Sequence, residues 1–233
     1  QLIAVAGSYG ASGTEYRTEV ESYAKVVSYG TSTAGGPNYF KVWTKDGQII
    51  EFGNPPIYIR NQQTSALYSY TWPVSKVSDR FGNEMTFTYT GNADEGYNHI
   101  NRVDYSGVSL IFNYEPRDDL ELSFIHGAKL SVPVRLKSVN TYIHSQELRD
   151  YRLTYQSSQG TNRSILTGID ECDSSLSGAN CRLESNFSWA ISQGVLNVGS
   201  SQLTGYSDGQ GWNAGQRYFP MDVNGTGLNA MVL

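Results

Sequence analysis

One text recurs along this chain: a run of alternating apolar residues, a short polar turn, and a second alternating run. "YFKVWTKDGQIIEFG" sets Lys45-Asp46-Gly47 between two such runs. Asp-Gly is a strong hairpin signal, because glycine accepts the positive φ that tight turns demand. "VSKVSDRFGNEMTFTYTG" bends at Gly82-Asn83 and places Met85, Phe87 and Tyr89 on one face. "INRVDYSGVSLIFNYEPR" turns at Ser106-Gly107. "RLKSVNTYIHSQELRDYRLTYQ" turns near Ser145-Gln146, with Leu148, Tyr151, Leu153 and Tyr155 around the return strand. Strict period two slips between Leu148 and Tyr151, the signature of a β-bulge. Runs joined by turns this short pair antiparallel, so the chain is restricted to sheets built of hairpins.

"EYRTEVESYAKVVSY" admits two readings. Tyr16, Val20, Tyr23 and Val27 recur at helical spacing, while Tyr16, Thr18, Val20, Ser22, Ala24 and Val26 alternate as one face of a strand. The β-branched content and the neighbouring hairpins favour the strand. Composition agrees: 17 tyrosines and 24 glycines among 233 residues, with 17% charged, suit pleated surfaces punctuated by turns. The expected fold is all-β: repeated antiparallel hairpins over residues 1–190. Between Ile191 and Asn213 the text turns to Gly, Ser, Gln and Asn, which reads as a linker, and residues 214–233 would begin a second unit.

A formal net charge of -5 and the lack of any Lys/Arg run argue against a nucleic-acid partner. No stretch approaches the roughly 18 apolar residues of a transmembrane helix. The opening "QLIAVAGSYGASG" lacks the basic start and apolar core of a signal peptide. Both ends read as cut, as in a piece of a longer protein whose export signal would lie elsewhere.

Catalytic signals are weak. His99, His126 and His144 fall in separate hairpin regions, and none stands at metal-ligand spacing from another His or Cys, so surface or turn positions are expected. "GYSDG" (205–209) matches a nucleophile elbow, but a Gly/Ser loop precedes it, no helix pattern follows, and every histidine lies upstream. Asp118-Asp119 and "DECD" (170–173) are adjacent acids, which point to opposite faces of a strand and read as solvated turn residues. No catalytic residue, metal site or cofactor is expected. Cys172 and Cys181, the two cysteines, flank the turn-rich "DSSLSGAN". A disulfide there would staple the loop, by about 2.7 kcal/mol in the chain-entropy model; the competing reading is a reduced pair in a cytosolic protein. Trp43, Trp72 and Trp212 are either core residues or platforms for sugar rings.

Five ordered segments carry a family likeness: "EYRTEVESYAKVVSYG", "GPNYFKVWTKDGQIIEFG", "VSDRFGNEMTFTYT", "RLKSVNTY" with "LRDYRLTY", and "ECDSS" with the later Cys and "FSW". From about Tyr16 to Trp189 the chain resembles the SpvB-type domain, found in Salmonella virulence plasmid B proteins and in B components of insecticidal Tc toxin complexes. "VSDRFGNEMTFTYT" is also similar to one YD (Rhs) repeat. The resemblance implies a secreted, non-catalytic segment of a curved β-shell that encloses or delivers a toxic cargo. Its partners would be the Rhs repeats and propeller of the same chain, and other toxin-complex subunits. The alternative is an all-β module that binds a glycan or protein on a host cell or envelope.

The tail "YFPMDVNGTGLNAMVL" resembles the start of a VCBS/FG-GAP repeat, which would begin a propeller blade. In that repeat, Asp-x-Asn-Gly-Asp-Gly-x-x-Asp supplies side-chain oxygens at positions one, three, five and nine. This chain keeps Asp222 and Asn224 but has Thr226 at the fifth position and Ala230 at the ninth. A hard cation wants six to eight oxygens, with carboxylates carrying most of the attraction. The loop is therefore degenerate. Calorimetric titration with millimolar calcium should show no binding, and a saturable site would contradict this reading.

Overall fold

The computed structural model describes residues 1–159, 161–175 and 179–189, together with the strands 219–221 and 230–232. The fold is all-β, with no helix among the described residues. Thirteen strands form one antiparallel sheet. Its first part is a meander of β1 (Leu2–Ala6), β2 (Glu15–Thr18), β3 (Lys25–Tyr29), β4 (Tyr39–Trp43) and β5 (Ile49–Gly53). After a hairpin of β6 (Ile57–Arg60) and β7 (Leu67–Thr71) leaves the sheet, β8 (Val74–Ser78) pairs with β5 and the meander continues. It runs through β9 (Glu84–Asn92), β10 (Tyr97–Tyr105) and β11 (Val108–Pro116). A second excursion, β12 (Leu122–Ile125) and β13 (Ala128–Ser131), precedes β14 (Val134–Ile143), β15 (Gln146–Ser157), β16 (Ser164–Cys172) and β17 (Cys181–Asn186). Contacts divide the chain into residues 1–192 and 193–233; in the latter, β18 (Phe219–Met221) pairs antiparallel with β19 (Ala230–Val232).

Four successive hairpins of the sheet repeat one device. Each first strand carries, at or near its start, an apolar residue followed by a bulged one: Val74 and Ser75, Ile100 and Asn101, Leu136 and Lys137, Leu166 and Thr167. A bulge interrupts the ladder locally. In every case the carbonyl just before the bulge accepts a hydrogen bond from an aromatic side chain at the end of the hairpin. Tyr89 donates to Val74 at 2.9 Å, Tyr114 to Ile100 at 2.8 Å, Tyr155 to Leu136 at 2.7 Å, and Trp189 Nε1 to Leu166 at 2.6 Å. The units interlock, because Tyr89 sits opposite Ile100, Tyr114 opposite Leu136, and Tyr155 opposite Leu166. Burial pushes the phenols of Tyr89, Tyr114 and Tyr155 above their ordinary pKa, so they stay protonated donors.

In the first part of the sheet an aromatic file does the packing. Tyr9 contacts Tyr16, Tyr16 meets Phe40 edge-on, and Phe40 meets Trp72 in the same way, with centroids 5.9, 6.1 and 5.4 Å apart. Such pairs each add about 0.5–1.5 kcal/mol beyond the area they bury. Trp72 is fixed by donating Nε1–H to the Pro37 carbonyl at 2.9 Å, and it lies directly on Gly53, where a Cβ would collide with its ring.

The segment read as one strand over 16–27 is two. Chain reversal between Thr18 and Lys25 leaves Val20 and Tyr23 exposed, at 83% and 75%, while Tyr16, Val26 and Val27 are buried. Glu19, Glu21 and Ser22 in the reversal explain the break: a buried strand face could not take them. The expected slip in the return strand is a bulge at Leu148. The turn before it lies one residue earlier than expected, at His144-Ser145, with both residues at positive φ.

Two stability changes follow. Tyr114→Phe should cost about 1–2 kcal/mol in urea unfolding, since it leaves the Ile100 carbonyl short of its donor, whereas Tyr105→Phe, on an exposed tyrosine, should be neutral. Ser145→Gly should stabilise by roughly 0.5–1 kcal/mol, because φ of +70° at that position strains any residue with a Cβ.

Candidate functional site

The two excursions meet over the sheet. Asn61 Nδ2 donates to the His126 carbonyl at 2.7 Å, and the Gln62 amide to the Gly127 carbonyl at 2.9 Å. Asn61 also shapes its own turn, its Oδ1 accepting from the amides of Gln63 and Thr64. Ile59 and Ala128 are buried where the hairpins touch. The β12–β13 hairpin is further tied to the β9–β10 turn: Ser131 donates through its amide and hydroxyl to the Glu95 carbonyl, both at 2.9 Å, and Lys129 pairs with the Glu95 carboxylate at 2.6 Å. Gly96 passes so close to the Lys129 carbonyl that a Cβ would not fit, and its φ is +62°.

Between this hairpin and strands β10, β11 and β14 lies an open cleft of about 820 Å³. Tyr97, His99 and Tyr114 give it an aromatic wall. The Tyr97 and His99 rings are parallel within 4° with centroids 5.9 Å apart, and His99 lies 3.9 Å from Tyr114. Leu120, Leu122 and Val132 line it from the hairpin side, all substantially exposed. Three charged residues line the cleft, and each is paired. Arg135 bonds Glu115 at 2.7 Å and the Ser164 hydroxyl at 2.8 Å, with its guanidinium 4.6 Å over the Tyr155 ring. Arg163 pairs with Glu121.

His99 is the chemically distinctive group here. Its Nδ1 is buried without a protein partner, and burial holds the imidazole below the usual histidine pKa, so it is neutral at neutral pH. It stands between aromatic rings, with no thiol or carboxylate bonded to it. This suits a flat, uncharged surface.

The residues singled out by sequence fall elsewhere. His126 and His144 occupy exposed turns, as expected, but His99 does not: it is a half-buried strand residue whose ring packs against Tyr114. Asp118 is exposed, whereas Asp119 is structural. Its carboxylate takes two hydrogen bonds from Arg117, at 2.8 and 2.6 Å, and two from Ser164, and Arg117 holds it far below the ordinary carboxylate range. In "DECD", Glu171 pairs with Arg149 and Asp173 caps Asn180. Asp119 and Glu171 are thus tied into the fold by partners, while Asp173 is an exposed turn acid, as expected. Cys172 and Cys181 form a disulfide between directly opposed residues of β16 and β17. Trp43 is half-buried beneath Lys25, and Trp72 belongs to the aromatic file. Trp212, "GYSDG" and the loop of Asp222, Asn224 and Thr226 lie outside the described residues. Among the described residues no three His, Cys, Asp or Glu side chains gather so as to hold a metal ion. Sequence reasoning missed the cleft because it passed over "LSFIHGAKLS"; the signal was His-Gly between two short alternating runs.

The half-buried, neutral His99 makes stability pH-dependent. Its folded pKa lies below the unfolded value near 6.5, so below that pH the unfolded chain binds the extra proton and stability falls. Carboxylates held down by partners, such as Asp104 and Glu95, withdraw their contribution only at lower pH. Urea midpoints measured from pH 7.5 to 5 should therefore decline, and His99→Gln should flatten that decline while leaving the acid limb below pH 4.

No protein-family model matches this chain, and no curated protein matches it. Among solved structures, it is similar to the N-terminal domain of effector protein SpvB from Salmonella typhimurium strain LT2. The two share 11% sequence identity and a TM-score of 0.56, over 79% of this chain and 78% of that one. At that identity the likeness concerns architecture: the chain has an SpvB-like all-β fold.

Proposed function

We propose that this chain is a non-catalytic structural segment of a secreted toxin-type protein, a sheet wall that other segments cover. The observation that carries this reading is how little of the sheet closes on itself. Among the described residues the buried apolar side chains are Tyr16, Val26, Val27, Ile59, Val103, Ala128 and Cys172. Leu122, Phe124, Val132, Tyr68 and Tyr70 on the excursions remain exposed, as do Leu2, Ile3 and Val5 on edge strand β1. Apolar surface and open edges on this scale call for a partner. The likeness to an effector's N-terminal domain supports the link to virulence. On this reading the repeated hairpins are of Rhs type and enclose or deliver a cargo. Residues 214–233 begin a VCBS/FG-GAP blade, and the partners are further segments of the same chain and toxin-complex subunits outside the cell.

Crosslinking with mass spectrometry, on the protein as its producing cell secretes it, tests this. Crosslinks from Lys129 and Lys137 to segments outside residues 1–233, or to another subunit, are expected. Crosslinks confined to residues 1–192, together with turnover of a small substrate by the purified chain, would overturn the proposal.

A further inference from the structure

The cleft beneath the β12–β13 hairpin combines exposed aromatic faces with walls whose charges cancel. Glu121, Arg135 and Arg163 are its charged lining residues; Glu121 and Arg163 pair with one another, and Arg135 is held by Glu115 and Ser164. An anionic ligand prefers an unpaired guanidinium and a cationic one an unpaired carboxylate, and here each charge already has its counter-ion. A neutral ligand needs neither. Tyr97 and Tyr70 line the cleft, the latter 42% exposed, beside a histidine that burial keeps uncharged. Asn98 and Ser123 add uncharged polar groups to the same lining. Flat apolar rings beside neutral hydrogen-bonding groups match a molecule with C–H faces and many hydroxyls. The volume of about 820 Å³ lies within the range of small-ligand clefts, about 300–1,000 Å³.

We propose that this cleft binds a neutral oligosaccharide, with Tyr97 and Tyr70 stacking on sugar rings. The cleft shares Tyr70, Leu122 and Val132 with the exposed apolar surface behind the scaffold reading, but sugar binding is read on the purified chain and the scaffold reading on crosslinks in the secreted protein, so either can fail alone. The lining aromatics also differ from the tryptophans that sequence alone suggested as platforms, since Trp43 and Trp72 are committed to packing within the sheet.

The test uses the full chain, isotopically labelled, titrated in NMR with cellotriose, maltotriose and chitotriose as neutral probes, sialyllactose as an acidic probe, and an apolar peptide. At least one neutral trisaccharide should give saturable shifts at the amides of residues 97–99, 121–123 and 130–132. Tyr97→Ala should weaken that binding at least about tenfold, equivalent to about 1.4 kcal/mol. Tyr70→Ala, on an exposed residue outside the aromatic latches, gives a second reading should Tyr97→Ala perturb folding, and Phe81→Ala, on a distant exposed ring, should leave binding unchanged. Shifts caused only by sialyllactose, only by the peptide, or by no probe would overturn the proposal. So would saturable sugar binding that neither tyrosine substitution weakens.

Discussion

A carbonyl beside a β-bulge has lost the regular ladder around it, and in this sheet an aromatic side chain restores its hydrogen bond. Val74, Ile100, Leu136 and Leu166 each receive a donor in this way from the end of their own hairpin. One such bond is worth only about 1 kcal/mol net. The arrangement gains more because the units share residues. The tyrosine that closes one hairpin lies opposite the apolar residue whose carbonyl the next hairpin must satisfy. A sheet with few fully buried side chains can therefore hold a single register from β8 to β16, which packing alone would specify weakly.

That regularity also fixes where the sheet can be interrupted. The excursions leave between β5 and β8 and between β11 and β14, so neither splits a latched hairpin. They meet through Asn61, Gln62, His126 and Gly127, and the second hairpin is tied down by Glu95. The cleft is the space this leaves above β10, β11 and β14. Tyr114 serves twice there: its hydroxyl closes the latch to Ile100 while its ring packs against His99 in the cleft wall.

Much of the fold was legible in the sequence. Alternation and turn residues identify three of the four latched hairpins as strand–turn–strand segments, β16–β17 being marked only by the turn-rich loop between its cysteines, and the break in period at Leu148 marks a real bulge. The latches leave a trace in the text that alternation and turn residues alone do not pick out. Phe87-Thr88-Tyr89, Phe112-Asn113-Tyr114, Leu153-Thr154-Tyr155 and Phe187-Ser188-Trp189 close their units alike, and Val74-x-x-Val77, Ile100-x-x-Val103, Leu136-x-x-Val139 and Leu166-x-x-Ile169 open them alike. What periodicity could not supply was the long-range part. Nothing near His99 indicates that Tyr114 will face it, nor anything near Asn61 that His126 will, since these contacts depend on a register set many residues away. Asp119 was misread partly for the same reason, its partner Ser164 being 45 positions on, although Arg117 stands only two residues before it.

Shared residues should make the latched hairpins open as one cooperative body. Native-state hydrogen exchange tests it directly. Strand amides of β9, β10, β14 and β15 are expected to share one opening free energy and one denaturant dependence. Separate opening of the β8–β9 hairpin while β14–β15 stays protected would contradict it.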